Sequence, residues 1–167
     1  MFRTLEDFGR TYKSHFEATL KLFSALSDES LGRAVHEGHR DLAGIAWHIV
    51  TAIPEMMNRT GLAMSAVNPE SMPPRTVAEI VKGYETAGKE LEAAIGAQWT
   101  DESLGQMDDM YGEQWPRGLT LAILLHHEVH HRGQMTVLMR QAGLRVPGIY
   151  GPSKEEWQEY GMPAPPY

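Results

Sequence analysis

Residues 117–143 read RGLTLAILLHHEVHHRGQMTVLMRQAG, and this segment decides how the rest of the chain is interpreted. Proline is favoured in the first turn of a helix and glycine directly after its last residue, so Pro116 and Gly143 mark the two ends. We therefore predict a helix from Arg117 to about Ala142. Its apolar residues are spread over nearly all sides, so periodicity does not tell which side faces a core.

Three further helices are predicted before this segment. Apolar residues recur every three or four positions between residues 4 and 27, which gives a helix there one apolar face. Asp41 can cap a second helix that runs to about residue 59 and is disturbed at Pro54. Thr76 and Glu79 match a capping box, which opens a third helix that ends near residue 99.

The remaining segments predict how the helices are connected. Residues 100–116 are interpreted as a polar loop, and the tail after Gly143 is rich in proline and glycine. Ser153 and Glu156 match a second capping box, for a short extra helix in that tail. No segment alternates apolar and polar residues, so no sheet is expected. The sequence predicts an all-α protein in which residues 1–167 form a single antiparallel four-helix bundle domain.

The composition limits the classes of function. A chain of 167 residues with 42% hydrophobic residues fits one domain, and without cysteine it has neither disulfides nor thiolate ligands. A net charge of -7 repels a phosphate backbone, so nucleic acid is not an expected partner. The first ten residues carry charges throughout, unlike a signal peptide, and no run is long enough for a membrane span. We expect a cytoplasmic protein without a membrane partner.

Histidine provides the main chemical signal. Four of the eight histidines lie within six residues of the last helix, at His126, His127, His130 and His131. Residues four apart share a helix face, so either 126 with 130 or 127 with 131 can hold one cation. His48 lies beside the apolar face of the second helix and is a candidate third ligand, although a lone histidine there is more often part of a core.

Three segments together resemble the DinB family of bacterial four-helix proteins. They read HRDLAGIAWHIV at residues 39–50, LLHHEVHHRGQMTVLMRQAG at residues 124–143 and PGIYGPSKEEW at residues 147–157. The family pattern has one histidine in the second helix and a His-x-x-x-His pair in the fourth, followed by Arg-Gly-Gln. The resemblance therefore implies that His48, His127 and His131 bind a metal, with His126 and His130 as neighbours. Gln134 lies on the same face and is expected to hydrogen-bond a ligand or a bound water.

The resemblance also implies a function. Three imidazoles leave a coordination position open, and open sites are usually catalytic. One divalent ion per chain is expected, zinc or nickel first, with iron or copper as further options. Characterised relatives of this kind are thiol-dependent transferases or isomerases, so the resemblance implies either a thiol S-transferase with a low-molecular-weight thiol as substrate or a metal-dependent hydrolase. The alternative is a metal-binding stress or sensor protein without turnover.

Two further interpretations concern single residues and assembly. Residues 127–131 match the His-Glu-x-x-His pattern of zinc peptidases, but we interpret Glu128 as a solvent-side partner of Arg132 because no strand is predicted to bind a peptide. His15 is expected to face the same cavity, whereas His36 and His39 are expected to be solvated. The surplus of apolar residues on the fourth helix predicts a homodimer.

Overall fold

The computed structural model describes residues 1–166 and is mostly helical. Its four long helices are α1 (Leu5–Phe23), α2 (Leu42–Asn58), α3 (Val77–Gln98) and α4 (Arg117–Gln141). The prediction of four helices is confirmed, and the predicted bounds differ by a few residues at their ends. Three short 3-10 helices lie between or after them, at Asp28–Ser30, Asp101–Gly105 and Trp157–Tyr160.

Three of the four long helices begin with a side-chain cap, and the sequence predicts two of these caps, at Asp41 and Thr76. The hydroxyls of Thr4 and Thr76 accept hydrogen bonds from backbone amides three residues on, and the Asp41 carboxylate does the same for Gly44. Each bond satisfies an amide that has no partner within the helix. α4 instead follows Pro116 without a side-chain cap, and its first backbone amide, that of Arg117, donates to the carbonyl of Gln106 at 2.9 Å.

The helices share one core. α2 packs against both α3 and α4, and α1 packs against the same two helices. Most of α2 is buried, which fits a helix that is apolar on almost every side. Fully buried side chains from three helices meet there: Leu42, Ile49, Ile53, Ile80, Leu91, Leu121 and Leu124. The close packing of α2 on α4 brings His48 near the histidines of α4.

The prediction that the chain contains no sheet is wrong for residues 107–116. Strands β1 (Met107–Met110) and β2 (Glu113–Pro116) form an antiparallel hairpin within the segment interpreted as a polar loop. Only Met110 among these residues is buried, so the hairpin lacks the alternation that marks a strand in sequence. A carboxylate of Asp108 binds the guanidinium of Arg117 at 2.9 Å and joins the hairpin to the start of α4.

The hairpin turn contains a backbone conformation that is unusual for its residue type. Tyr111 and Gly112 connect the strands with φ values of 62° and 88°, the signs required by a type I′ turn. Glycine adopts this conformation freely, whereas a tyrosine does so at a cost of about 1 kcal/mol or more. The strain at Tyr111 therefore requires compensation from contacts of its side chain.

The segment after α4 contains a short helix, as predicted, although it begins later than the capping box indicates. Glu156 accepts hydrogen bonds from the backbone amides of Ser153 and Gly148, both at 3.0 Å, and the 3-10 helix starts at Trp157. Within residues 1–166, no helix is both long and apolar enough to cross a membrane.

Candidate metal centre

Three imidazoles from two neighbouring helices converge on one point. The Nε2 atom of His127 on α4 lies 3.1 Å from Nε2 of His48 on α2 and 3.1 Å from Nε2 of His131, one turn further along α4. Among the described residues, these three form the group of potential ligands that could hold a metal ion. Periodicity could not choose between the two histidine pairs of α4. In the structure, the pair that converges with His48 is 127 with 131.

Hydrogen bonding among the rings does not explain this arrangement. A neutral imidazole carries one N–H and one lone pair, so Nε2 of His127 can make one good bond, not two. A cation would accept all three lone pairs. Imidazole nitrogens bind zinc at about 2.0–2.1 Å, which separates two nitrogens by about 3.3 Å at a tetrahedral angle and about 2.9 Å at a right angle. The two separations from His127 fall between these values, and all three ligand atoms lie within 4.8 Å of one another, so the donor set fits a metal.

Gln134 sets the tautomer of one ring. Nδ1 of His131 lies 2.8 Å from Oε1 of Gln134, which can only accept, so Nδ1 carries the proton and Nε2 keeps its lone pair. The Gln134 amide donates in turn to Nε2 of His130 at 3.0 Å. His130 is therefore connected to the cluster through Gln134, while its own ring lies outside the converging group.

Burial keeps the three rings in the neutral form that binds metals. Desolvation lowers the pKa of His48 to about 4, with Arg40 and the neighbouring imidazoles adding to the effect. Desolvation likewise lowers the pKa of His127 to about 4, followed by the influence of His131 and His130. The pKa of His131 is lowered by burial and partly restored by its bond to Gln134. At neutral pH no proton competes for the three Nε2 atoms.

The cluster is accessible from one side through a pocket of about 430 Å³. His48 and His127 form its inner wall, and Ala52, Met56 and Ile123 make much of the rest apolar. A ligand in this space would contact two of the three imidazoles, those of His48 and His127. A second pocket, of about 520 Å³, adjoins His131 and Gln134 on another side of the cluster.

A polar group stands at the edge of the first pocket. The phenol of Tyr111 donates to Oε2 of Glu55 at 2.6 Å, and Nε of Arg59 donates to Oε1 at 2.8 Å. The guanidinium of Arg59 also lies over the Tyr111 ring, 4.4 Å from its centroid. Burial and the bond to Glu55 raise the pKa of Tyr111 to about 12, so it stays a neutral phenol. These contacts compensate for the strained backbone of Tyr111.

Sequence reasoning missed both residues that form this edge. Glu55 follows His48 by seven positions on α2, two helical turns, so their shared face was a usable signal. Tyr111 gave no such signal in the sequence, because its position depends on a hairpin whose strands do not alternate apolar and polar residues.

The interpretation of Glu128 as a solvent-side residue is wrong. Its side chain is fully buried and accepts hydrogen bonds from the Tyr84 phenol at 3.1 Å and the Thr19 hydroxyl at 3.3 Å. Arg132 is connected to Glu128 only through the Thr19 hydroxyl, to which Nη1 of Arg132 donates a hydrogen bond at 3.1 Å. Glu128 thus faces α1 and α3, and the general base required by the zinc peptidase pattern is absent from the cluster.

The other histidines lie outside the cluster. His15 was expected to face the same cavity, but it contacts Arg132 and the ring of Tyr150 instead. His126 and His130 are exposed on α4, and His36 and His39 are exposed in the loop before α2. The last two adjoin the second pocket.

The chain is similar to known proteins over nearly its whole length. The model of the DinB family matches residues 1–164. The uncharacterized protein YrdA of Bacillus subtilis strain 168 is 43% identical over 165 residues, which is 99% of both chains. A crystal structure of a DinB-like protein from Bacillus cereus ATCC 10987 is 40% identical, with a TM-score of 0.85 over 90% of this chain and 100% of that chain.

A more distant solved structure supports the fold alone. The DinB-like protein YjoA from Bacillus subtilis is 21% identical, with a TM-score of 0.68 over 86% of this chain and 97% of that chain.

Proposed function

Because this chain belongs to the DinB family and brings three imidazoles to one point, we propose that His48, His127 and His131 bind one divalent metal ion in a catalytic site. The observation that carries the proposal is the 3.1 Å approach of His127 Nε2 to both partners beside an accessible pocket. A metal held by three neutral imidazoles keeps an open coordination position for a substrate. Zinc and nickel are the first choices, and iron and copper suit the same donors.

The reaction we propose is S-transfer from a low-molecular-weight thiol. A divalent ion supplies Lewis acidity that makes a thiol at the open position more acidic. The sulfur then forms a bond to an electrophilic carbon, the leaving group departs with its electron pair, and the thiol proton passes to solvent. The chain's own contribution is to hold the ion with Nε2 atoms, to orient His131 through Gln134, and to enclose the reactants within the apolar walls beside His48 and His127.

Thiol chemistry is favoured over hydrolysis by the state of the nearby carboxylates. Hydrolysis benefits from a free general base within reach of the attacking water. Glu128 is turned into the core, and both oxygens of Glu55 already accept hydrogen bonds, from Arg59 and Tyr111. A thiol bound at the open position does not require such a base. The zinc peptidase interpretation lacks the general base that it requires, because Glu128 lies in the core. A hydrolase of another kind remains the second option.

The accessible pocket favours the enzyme over the alternative of a metal-binding stress or sensor protein without turnover. A purely structural metal site is usually closed by a fourth protein ligand. Here the space beside His48 and His127 measures about 430 Å³, enough for a small substrate. The proposal further includes an antiparallel bundle formed by the four helices as a single domain, a homodimer, and a cytoplasmic location, without nucleic acid or membrane partners.

S-conjugation assays on the metal-loaded protein test the proposed function. Untagged protein is stripped with a chelator, reloaded with zinc or nickel, and supplied with a small thiol and chlorodinitrobenzene. We expect conjugation and chloride release above the rate of the free thiol, loss of that excess on stripping, and recovery on reloading. Equal rates for stripped and loaded protein, with either metal, would contradict the enzymatic proposal and leave the non-catalytic alternative.

A further inference from the structure

The second pocket differs in charge from the rest of the protein. It is lined by Arg40, His36, His39 and Gln134 among its polar residues, and no carboxylate contributes to it. The whole chain, by contrast, carries a net charge of -7. A local concentration of donors and positive charge on an acidic protein attracts anions to that position and disfavours cations.

Arg40 is the permanent charge of this pocket and is not engaged elsewhere. Within residues 1–166 its guanidinium makes neither an ion pair nor a side-chain hydrogen bond, whereas Arg59, Arg117, Arg140 and Arg145 each bind a carboxylate. Arg40 helps to lower the pKa values of all three cluster histidines. Because Arg40 and His131 line the same pocket, an anion bound to Arg40 would lie on the side of the candidate metal centre that His131 forms.

The shape of the pocket connects Arg40 with the cluster. His131 belongs to both the cluster and the pocket wall, so a ligand that fills the pocket contacts one of the three converging rings. The apolar part of the lining includes Val35, which is 71% exposed, and Val137, which is 54% exposed. Exposed aliphatic side chains beside a polar group are typical of a ligand groove. The lining thus suits a molecule with a short hydrocarbon part and one acidic end.

A carboxylate fits this site better than a phosphate monoester. The planar fork of one guanidinium matches the two oxygens of a carboxylate in geometry and in charge. A phosphate monoester carries about -1.5 to -2 charges at neutral pH, and Arg40 alone would neutralise only part of that. His39 adds a ring nitrogen that can donate to a remaining lone pair of a carboxylate, whereas Nδ1 of His36 already donates to the backbone carbonyl of Glu37 at 2.9 Å.

We infer that Arg40 binds a carboxylate of the thiol substrate in the pocket beside His131 and so directs the thiol of the same molecule toward the three-histidine cluster. This inference rests on the proposed thiol chemistry and specifies its substrate as a small mercapto acid. Arg40 is a binding residue in this account, and it neither contacts the metal nor exchanges a proton.

Calorimetric titration of the zinc-loaded protein with two matched thiols tests the inference. Mercaptopropionate and mercaptopropanol have the same reactive sulfur and chain length, but only the first carries a carboxylate. We expect the acid to bind about tenfold more tightly, the value of one charge-assisted hydrogen bond at an exposed site. Arg40→Gln should remove this preference, leave mercaptopropanol binding unchanged, and retain the zinc content of the parent protein.

The control variant is Arg33→Gln, because Arg33 is an exposed arginine of the same segment that lines a different pocket. It should keep the full preference for the acid. Equal binding of the two thiols by the parent protein, or a preference that survives Arg40→Gln, would overturn the carboxylate site and leave the proposed function intact. Failure of both thiols to bind the zinc-loaded protein would overturn the proposed function and this inference together.

Discussion

Gln134 is the residue that prepares His131 for metal binding. Its side-chain carbonyl oxygen accepts a hydrogen bond from Nδ1 of His131, with 2.8 Å between the two atoms. Its amide nitrogen donates to Nε2 of His130 at 3.0 Å. A ligand histidine oriented in this way loses less entropy on binding and presents the correct nitrogen. The sequence indicated Gln134 because it lies three positions after His131. The involvement of His130 through the same amide needed the side-chain positions.

Replacing Gln134 with alanine should weaken metal binding without unfolding the protein. Removal of such a partner typically costs about 10- to 100-fold in affinity. Competition with a chromophoric zinc chelator measures the change. Gln141→Ala, at an exposed position near the end of the same helix, is the control and should bind zinc as the parent does. An unchanged affinity in Gln134→Ala would mean that the tautomer of His131 is set in another way.

Glu128 should make the stability of the metal-free protein depend on pH. Burial raises its pKa to about 7, opposed in part by Arg132, while the unfolded carboxyl titrates near 4.5. Between these values the folded state keeps a proton that the unfolded state has lost, so the contribution of Glu128 to stability falls as pH rises. Glu128→Gln should therefore gain stability relative to the parent across this range, by about 1 to 3 kcal/mol.

Urea unfolding at the two ends of that pH range measures the difference between variant and parent, and the subtraction cancels the titration of the histidines. The control Glu17→Gln changes an exposed glutamate on α1, and we expect no comparable dependence. A variant that loses stability relative to the parent as pH rises would contradict the assignment of Glu128 as a buried carboxyl with a raised pKa.

At the scale of elements, sequence patterns account for the helices and not for the hairpin. The caps at Thr4, Asp41 and Thr76 are local, so each helix start can be recognised from a few residues. Contacts with Arg117, Glu55 and Arg59 hold the hairpin. Glu55 and Arg59 are distant from Tyr111 in sequence, and Arg117 belongs to α4. Such contacts leave no periodic pattern, and the strand prediction failed for that reason.

The turn of the hairpin predicts opposite effects for two glycine substitutions. Gly112 has a φ of 88°, so Gly112→Ala should destabilise the protein by about 1 kcal/mol. Gly96 lies in the exposed part of α3, where a new Cβ meets no atom within 4 Å, so Gly96→Ala should stabilise it by up to about 1 kcal/mol. Thermal melts compare the two. Stabilisation by Gly112→Ala would contradict the left-handed turn.

At the scale of the whole molecule, the metal centre depends on two helices being packed in one register. α2 contributes His48 and α4 contributes the other two ligands, so the cluster exists only in the folded chain. Periodicity could not choose between the two histidine pairs of α4, because that helix is apolar on nearly all sides. The family resemblance supplied the register, and the packing of α2 against α4 brings the same pair to His48.

At the scale of the whole molecule, we also predict that two copies of the chain form a homodimer. The apolar residues of α4 cover more faces than one core requires, and pairing of two copies commonly covers such a surplus. Sedimentation at micromolar concentration should give about twice the chain mass of 18.7 kDa. A single species with the mass of one chain would reject the dimer without affecting the metal centre.

The most direct test of the account is the metal content of five alanine variants, purified without a histidine tag and loaded with zinc. His48→Ala, His127→Ala and His131→Ala each leave two of the converging nitrogens, and we expect a steep loss of zinc per chain in all three. His126→Ala and His130→Ala should stay near the parent, with at most the weaker affinity expected when Gln134 loses its partner His130. Emptying of the site by His126→Ala and His130→Ala, with zinc retained by His127→Ala and His131→Ala, would contradict the account.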